Sequence, residues 1–305
     1  MVDTAVDVAR QALGPLGAIL PVSFTSAPSI DMQREAVGRL ERAGYRAVWT
    51  NEVIGKDALV QLATLLGATE HMVMGTCIAN IWARPAQTMH AAAAQLAQAY
   101  TGRIVLGLGV GYPEQATSVG RQFGSPLATV RDYLGLMDSP TWPSAPDAAY
   151  PRIVAANGPK MLALAAEVAD GAMPAGMPAE FTAQARQALG PDKLLVVGMS
   201  VILDEDSEWA KATARGDVSN RLGAPSFAAR MTQLGYSADD IAEVSDRLVS
   251  AVVAHGNSAA VAAGVREHLA AGADHVVPLL PTGGDFATGV EQLERLAPAL
   301  SELRS

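Results

Sequence analysis

The feature that most restricts how this chain can fold is an alternation. A short apolar run is followed by a Gly, Asn or Pro and then by a longer amphipathic stretch, and the pattern recurs along the sequence. Apolar runs bounded by turn formers read as strands and the longer periodic stretches as helices, so the repeating unit is βα and the sheet is parallel. The strands are expected at residues 18–24, 47–50, 73–78, 104–109, 152–156, 171–174, 194–203 and 275–280. Helices are expected at 30–43, 57–69, 86–100, 127–137, 159–169, 180–188 and 289–303. Gly44 and Gly102 follow helices where a C-terminal glycine is favoured, and Pro159 stands where a first helical turn tolerates it. This order predicts an α/β fold, a single (β/α)8 TIM barrel formed by residues 1–305 as one domain. Residues 205–271, broken by Pro225, Gly235 and Gly256, are too long for one helix and predict a helical insertion between strands 7 and 8. The proline-rich stretch 139–151 reads as a surface crossing rather than a linker between domains.

Composition removes several classes of function. Half of the residues are hydrophobic and 17% are charged, enough to bury a large core. A net charge of -9 would repel a phosphate backbone, and no basic run interleaved with aromatics offsets it, so no nucleic-acid partner is expected. Residues 1–17 carry no basic or apolar leader segment, and no apolar stretch approaches the ~20 residues that span a bilayer, so a cytoplasmic protein without a membrane partner is expected. The lone Cys77 cannot build a disulfide framework, and His71, His90, His255, His268 and His275 show neither HxH nor HExxH spacing, so no metal site is expected.

In a parallel barrel the C-terminal strand ends converge on one mouth, which makes the residues there the candidate site before any motif is invoked. They are Ser23 and Phe24, Asn51 and Glu52, residues 77–80, Gly111 and Tyr112, residues 156–158, residues 175–177 and residues 281–284. Many are small, as close approach of backbone to a flat ligand with a phosphate tail requires. The turn Ala155, Ala156, Asn157, Gly158, Pro159, Lys160 passes from a strand into a helix and would aim unpaired amides at an anion, though any βα turn uses such residues. Gly107, Gly109 and Gly111 do not make a dinucleotide fingerprint, because Tyr112 stands where GxGxxG needs glycine. Glu52 has two readings, a proton-transfer group or the partner of Lys56 in a rim salt bridge. His90 within a helix and Cys77 without a neighbouring base read as packing residues.

Four segments in order resemble the luciferase-like family of flavin and deazaflavin oxidoreductases (bacterial luciferase superfamily). They are ERAGYRAVWTNE at 41–52, GTCIANIWARP at 75–85, TGR leading into GLGVG at 101–111, and AANGPKM with ADG at 155–171. The likeness covers roughly residues 15–180, with 278–300 fitting the last strand and helix, and within the family it is nearest to actinobacterial members using coenzyme F420. It implies a bulge with a cis peptide between Cys77 and Ile78 against one face of the cofactor ring, leaving the other for hydride transfer. It also implies that Asn80 bonds the polar edge of the ring, that Ala155, Ala156, Asn157 and Gly158 serve the ribityl and phosphate region, and that Ala175, Gly176 and Met177 line the phosphate end. Ser23 and Gly111 at the same strand ends complete the implied cofactor-binding set. Family members often carry an acidic residue followed by His after the second strand and Glu after the fourth, whereas here Glu52 precedes Val53 and Tyr112 replaces the glutamate. Glu52 and Tyr112 are left as the catalytic proton carriers. The resemblance thus implies a homodimeric F420-dependent oxidoreductase moving a hydride to or from a small-molecule substrate. The alternatives are an FMN-dependent monooxygenase and a barrel that binds flavin without turnover.

Overall fold

The computed structural model describes residues 4–22, 27–53 and 55–304. Its strands are β1 (Gly17–Ile19), β2 (Ala47–Thr50), β3 (Val73–Thr76), β4 (Ala79–Asn80), β5 (Ile104–Gly109), β6 (Arg152–Ala155), β7 (Gly171–Met173), β8 (Leu194–Leu203), β9 (Val253–Gly256) and β10 (His275–Leu279). Eight of them form a parallel sheet in the order β1-β2-β3-β5-β6-β7-β8-β10, with β4 added on β5 and β9 on β8. A parallel bridge between Leu16 and Val276 and a bond from the Val276 N–H to the Pro15 carbonyl bring the two edges of the sheet together. The result is a curled, TIM-like parallel sheet with helices outside it.

Side chains alternate across each strand, which divides the core into two clusters. Val48 and Met74 point outward to the helices, while Ala47, Trp49, Val73, Val105, Ile153, Met173, Leu194, Val196 and Val277 fill the interior. Trp49 fits because its neighbour across the ladder is Gly75, where a Cβ would lie 2.4 Å from the indole ring. The indole N–H donates to His275 Nε2 at 2.9 Å, and His275 Nδ1 lies 2.7 Å from the Gly14 carbonyl. Nδ1 therefore carries the imidazole proton, and both ring nitrogens are satisfied without charge.

A helix not anticipated from sequence, Ala5–Leu13, opens on a Thr4/Asp7 capping box and adds Val6, Ala9 and Leu13 to the interior cluster. Arg10 ties it to Asp274 and to the carbonyls of Pro191 and Lys193, residues that precede β10 and β8. The helix thus stops the N-terminal end of the sheet and leaves the C-terminal end open. Between β8 and β9 lie helices Ser207–Leu222, Pro225–Gln233, Ala238–Ala242 and Asp246–Val252. Strand β9, within the stretch expected to be helical throughout, was also not anticipated. Strand β1, Gly17–Ile19, ends well short of the expected 18–24, of which residues 23 and 24 lie outside the described residues.

Candidate active site

The open end has a floor of half-buried side chains. Ile19, Cys77, Ile78 and Leu279 pack on the interior cluster without being sealed by it, in contrast to Trp49 and Val105 below them. Cys77 and Ile78 interrupt the path from β3 to β4, and the peptide between them is cis, as the resemblance implies. The bulge is pinned from both sides. Cys77 N–H donates to the Thr50 carbonyl at 2.7 Å and the Ile78 carbonyl accepts from Glu52 N–H at 3.1 Å. Thr76 Oγ1 accepts from Gly107 N–H at 2.9 Å and donates to the Gly107 carbonyl at 2.7 Å, so a hydroxyl completes the seam where ladder bonds stop. Burial pushes the Cys77 thiol up to about 12, so it is neutral and not a nucleophile.

The expected residues meet in a chain around this floor. Glu52 touches positions 78 and 80, and a Cβ at Gly111 would lie 3.1 Å from Asn80 Nδ2. At Gly109 a Cβ would meet both the Ile78 side chain and the Ala155 Cβ. Asn157 and Ala175 exchange two bonds, Nδ2 to the Ala175 carbonyl at 3.0 Å and Ala175 N–H to Oδ1 at 2.8 Å. Ala156 and Met177 are buried in the outer cluster, so their contribution to the mouth is backbone. Tyr112 stands at the rim, 73% exposed, where it begins helix Pro113–Ser118. Ser23 lies outside the described residues.

Glu52 is buried, and its carboxylate is fully engaged. It accepts from Asn80 N–H at 2.7 Å, from Ala58 N–H at 3.1 Å, and from both terminal nitrogens of Arg84, one of them at 3.2 Å. The anticipated alternative of a salt bridge to Lys56 is corrected: the partner is Arg84, which also pairs with Asp57 at 2.8 Å. Lys56 instead donates to Thr50 Oγ1 at 2.8 Å and Asn51 Oδ1 at 2.9 Å. Burial, against the opposing pull of Glu52, lowers the Lys56 ammonium to about 8. A cavity of about 500 Å³ opens beside these groups, lined by Glu52, Lys56, Asn80, Trp82, Arg84 and Gln115 among others.

Across the mouth, helix Pro159–Val168 begins at Gly158 with no side chain capping its amides. Two arginines not singled out in the sequence approach this end from the helices after β8. Arg221 donates to the Gly176 carbonyl at 3.2 Å and to Ser200 Oγ at 2.8 Å. A Cβ at Gly158 would lie 3.1 Å from an Arg230 terminal nitrogen, and Arg230 Nε is buried without a hydrogen-bond partner. Uncapped amides and Arg230 meet there with no carboxylate paired to Arg230 among the described residues, an electropositive corner suited to an anion. Arg84 sits inside a recognisable motif, but Arg221 and Arg230 carry no local signal, being joined to the mouth only by the fold.

Comparison with known proteins bears on this geometry. The model of the luciferase-like monooxygenase family matches residues 14–275. A protein of Mycobacterium tuberculosis named as a coenzyme F420-dependent oxidoreductase is 29% identical over 187 residues, 51% of this chain and 54% of that one. The 5,10-methylenetetrahydromethanopterin reductase of Methanolobus tindarius is 29% identical over 205 residues, 57% of this chain and 62% of the relative. Each match therefore spans only a little over half of the relative's length. Among solved structures, an F420-dependent secondary alcohol dehydrogenase with an F420-acetone adduct superimposes with a TM-score of 0.71 at 17% identity, covering 94% of this chain and 99% of that one. The FMN-bound oxygenating constituent of 3,6-diketocamphane monooxygenase from Pseudomonas putida does so with a TM-score of 0.67 at 15% identity, covering 93% and 97%. At these identities the superpositions establish the fold.

Proposed function

The chain belongs to the luciferase-like monooxygenase family, and from that premise we propose that it is an oxidoreductase using coenzyme F420 to move a hydride to or from a small organic substrate. The observation that carries the reading is the half-buried floor of Ile19, Cys77, Ile78 and Leu279 at the open end of the sheet. A half-buried apolar platform of this kind fits a flat tricyclic ring. The electropositive corner at Gly158 fits the phosphate of its tail. The relative named as a coenzyme F420-dependent oxidoreductase supports this choice of cofactor. When bound, the deazaflavin supplies the hydride chemistry that no protein side chain can.

The chain's own residues then divide the work. Cys77 and Ile78 back one face of the ring, and Asn80 Nδ2, without a partner among the described residues, meets its polar edge beside Gly111. Backbone at 155–158 and 175–177 holds the ribityl and phosphate region, with Arg230 supplying charge. The four helices after β8 act as an insertion that brings Arg221 and Arg230 over this end. Glu52 has every lone pair occupied by a donor, so proton handling at the substrate falls to Lys56 or to Tyr112. An ammonium near 8 is well matched to proton transfer close to neutral pH.

Titration with oxidised F420 and with FMN, followed by fluorescence, tests the assignment. Saturable micromolar binding of F420, with FMN at least tenfold weaker, is expected. FMN binding with no F420 binding would move the protein to the oxygen-using branch of the family. Lys56→Met should keep the ring bound and lose the pH dependence of hydride exchange near pH 8, and an unchanged profile would leave the proton with Tyr112.

A further inference from the structure

We propose that Glu52 and Arg84 form a positioning pair that sets the ring seat, and that Glu52 does not exchange protons with substrate. The inference rests on the reading of the mouth as a ring site, which it deepens. Residue 52 grips the bulge at two points. Its backbone N–H holds the Ile78 carbonyl at 3.1 Å and its carboxylate holds the Asn80 N–H at 2.7 Å, so the floor residue and the edge residue are fixed to one residue, the second of them through its side chain. The same carboxylate takes the N–H of Ala58, the first residue of helix Ala58–Leu66, which ties the seat to a rigid element. Arg84 holds the carboxylate from the other side and is itself anchored, through Asp57 at 2.8 Å and through its carbonyl, which accepts from Tyr133 Oη at 2.9 Å.

All four groups that reach Glu52 are donors. A carboxylate satisfies them, and a protonated carboxyl would turn a hydrogen toward one of them. Losing the Glu52 charge would also take away one of the two carboxylates that pair with Arg84, whose side chain is only 10% exposed. With each lone pair engaged by a donor, the carboxylate has no free position from which to exchange a proton with substrate, which is the opposite of what a proton carrier needs.

Glu52→Gln is the discriminating change, because an amide presents its NH2 to two of the four donors whichever way it is turned. Oxidised F420 and FMN are titrated into the folded wild type, Glu52→Gln, Arg84→Lys and Leu13→Ala, with urea midpoints measured alongside. Leu13 is fully buried at the opposite end of the sheet, so Leu13→Ala lowers stability without touching the mouth. The expected result is a loss of ring affinity of at least tenfold in Glu52→Gln, a smaller loss in Arg84→Lys, and affinity within twofold of wild type in Leu13→Ala. Affinity that simply follows the urea midpoint across all three variants overturns the inference. Unchanged affinity in Glu52→Gln with a lost limb in the pH profile of hydride exchange also overturns it and returns the proton to Glu52. A wild-type protein that binds neither ring removes the underlying reading, and the inference with it.

Discussion

His275 and His268 show what full burial does to a titratable side chain. Burial lowers both to about 4 from an ordinary value of 6.5, and each keeps a neutral ring bonded, His275 to Trp49 and the Gly14 carbonyl, His268 to Thr182 Oγ1 at 2.8 Å. Above pH 6.5 neither the folded nor the unfolded chain protonates these rings, so their packing contributes in full. Between 6.5 and 4 the unfolded chain takes up protons that the folded chain refuses, so stability falls as pH falls, by about 1.4 kcal/mol per histidine per pH unit. Urea midpoints should therefore drop between pH 7 and pH 5, and His268→Gln should flatten that slope. A slope equal to wild type in the variant would contradict the assignment. Sequence showed where these histidines stand but not their partners, because Trp49 and His275 are far apart in the chain and meet only across the closed sheet. The same holds at the mouth. Glu52, Asn80 and Gly158 were legible as strand-end residues, whereas Arg84 as the partner of Glu52 and Arg230 as the neighbour of Gly158 required the fold.

Strands were the most legible elements, because each inward and outward position is dictated by packing. Residues 47–50, 104–109 and 194–203 form strands at the expected bounds. The short β9, VAHG, was missed since four residues between helices carry no alternation to read, and helix Ala5–Leu13 was missed because its apolar face is only Val6, Ala9 and Leu13. The seam between β3 and β5 makes a prediction at this scale. A Cβ at Gly107 would lie 2.0 Å from the Thr76 carbonyl oxygen, a backbone atom that cannot rotate away. Gly107→Ala should cost about 3 kcal/mol, the upper end of overpacking, and weaken ring binding by displacing the bulge. Gly216→Ala, in helix Ser207–Leu222 with nothing within 4 Å of the new methyl, should instead gain about 0.5–1 kcal/mol. Urea denaturation of the two variants checks the opposite signs, and equal effects would refute the packing argument.

At the scale of the molecule, the curled sheet is stoppered at one end and open at the other. Arg10 and the interior face of the first helix hold the stopper, while β2, β3, β5, β6 and β7 deliver their last residues to the mouth. Among the described residues no helix is long and apolar enough to cross a membrane, and among them no group of three or more His, Cys, Asp or Glu is placed to hold a metal ion. Stability and chemistry are thus assigned to opposite ends, which is why a buried change such as Leu13→Ala can serve as a control for the mouth. The account stands on the ring lying flat on the floor at Cys77 and Ile78. A crystal structure of the protein with oxidised F420 tests it most directly. The account predicts one face of the tricyclic ring in van der Waals contact with the Cys77–Ile78 segment and its phosphate at Gly158 and Arg230. A ring bound elsewhere, with that segment left facing solvent, would contradict it.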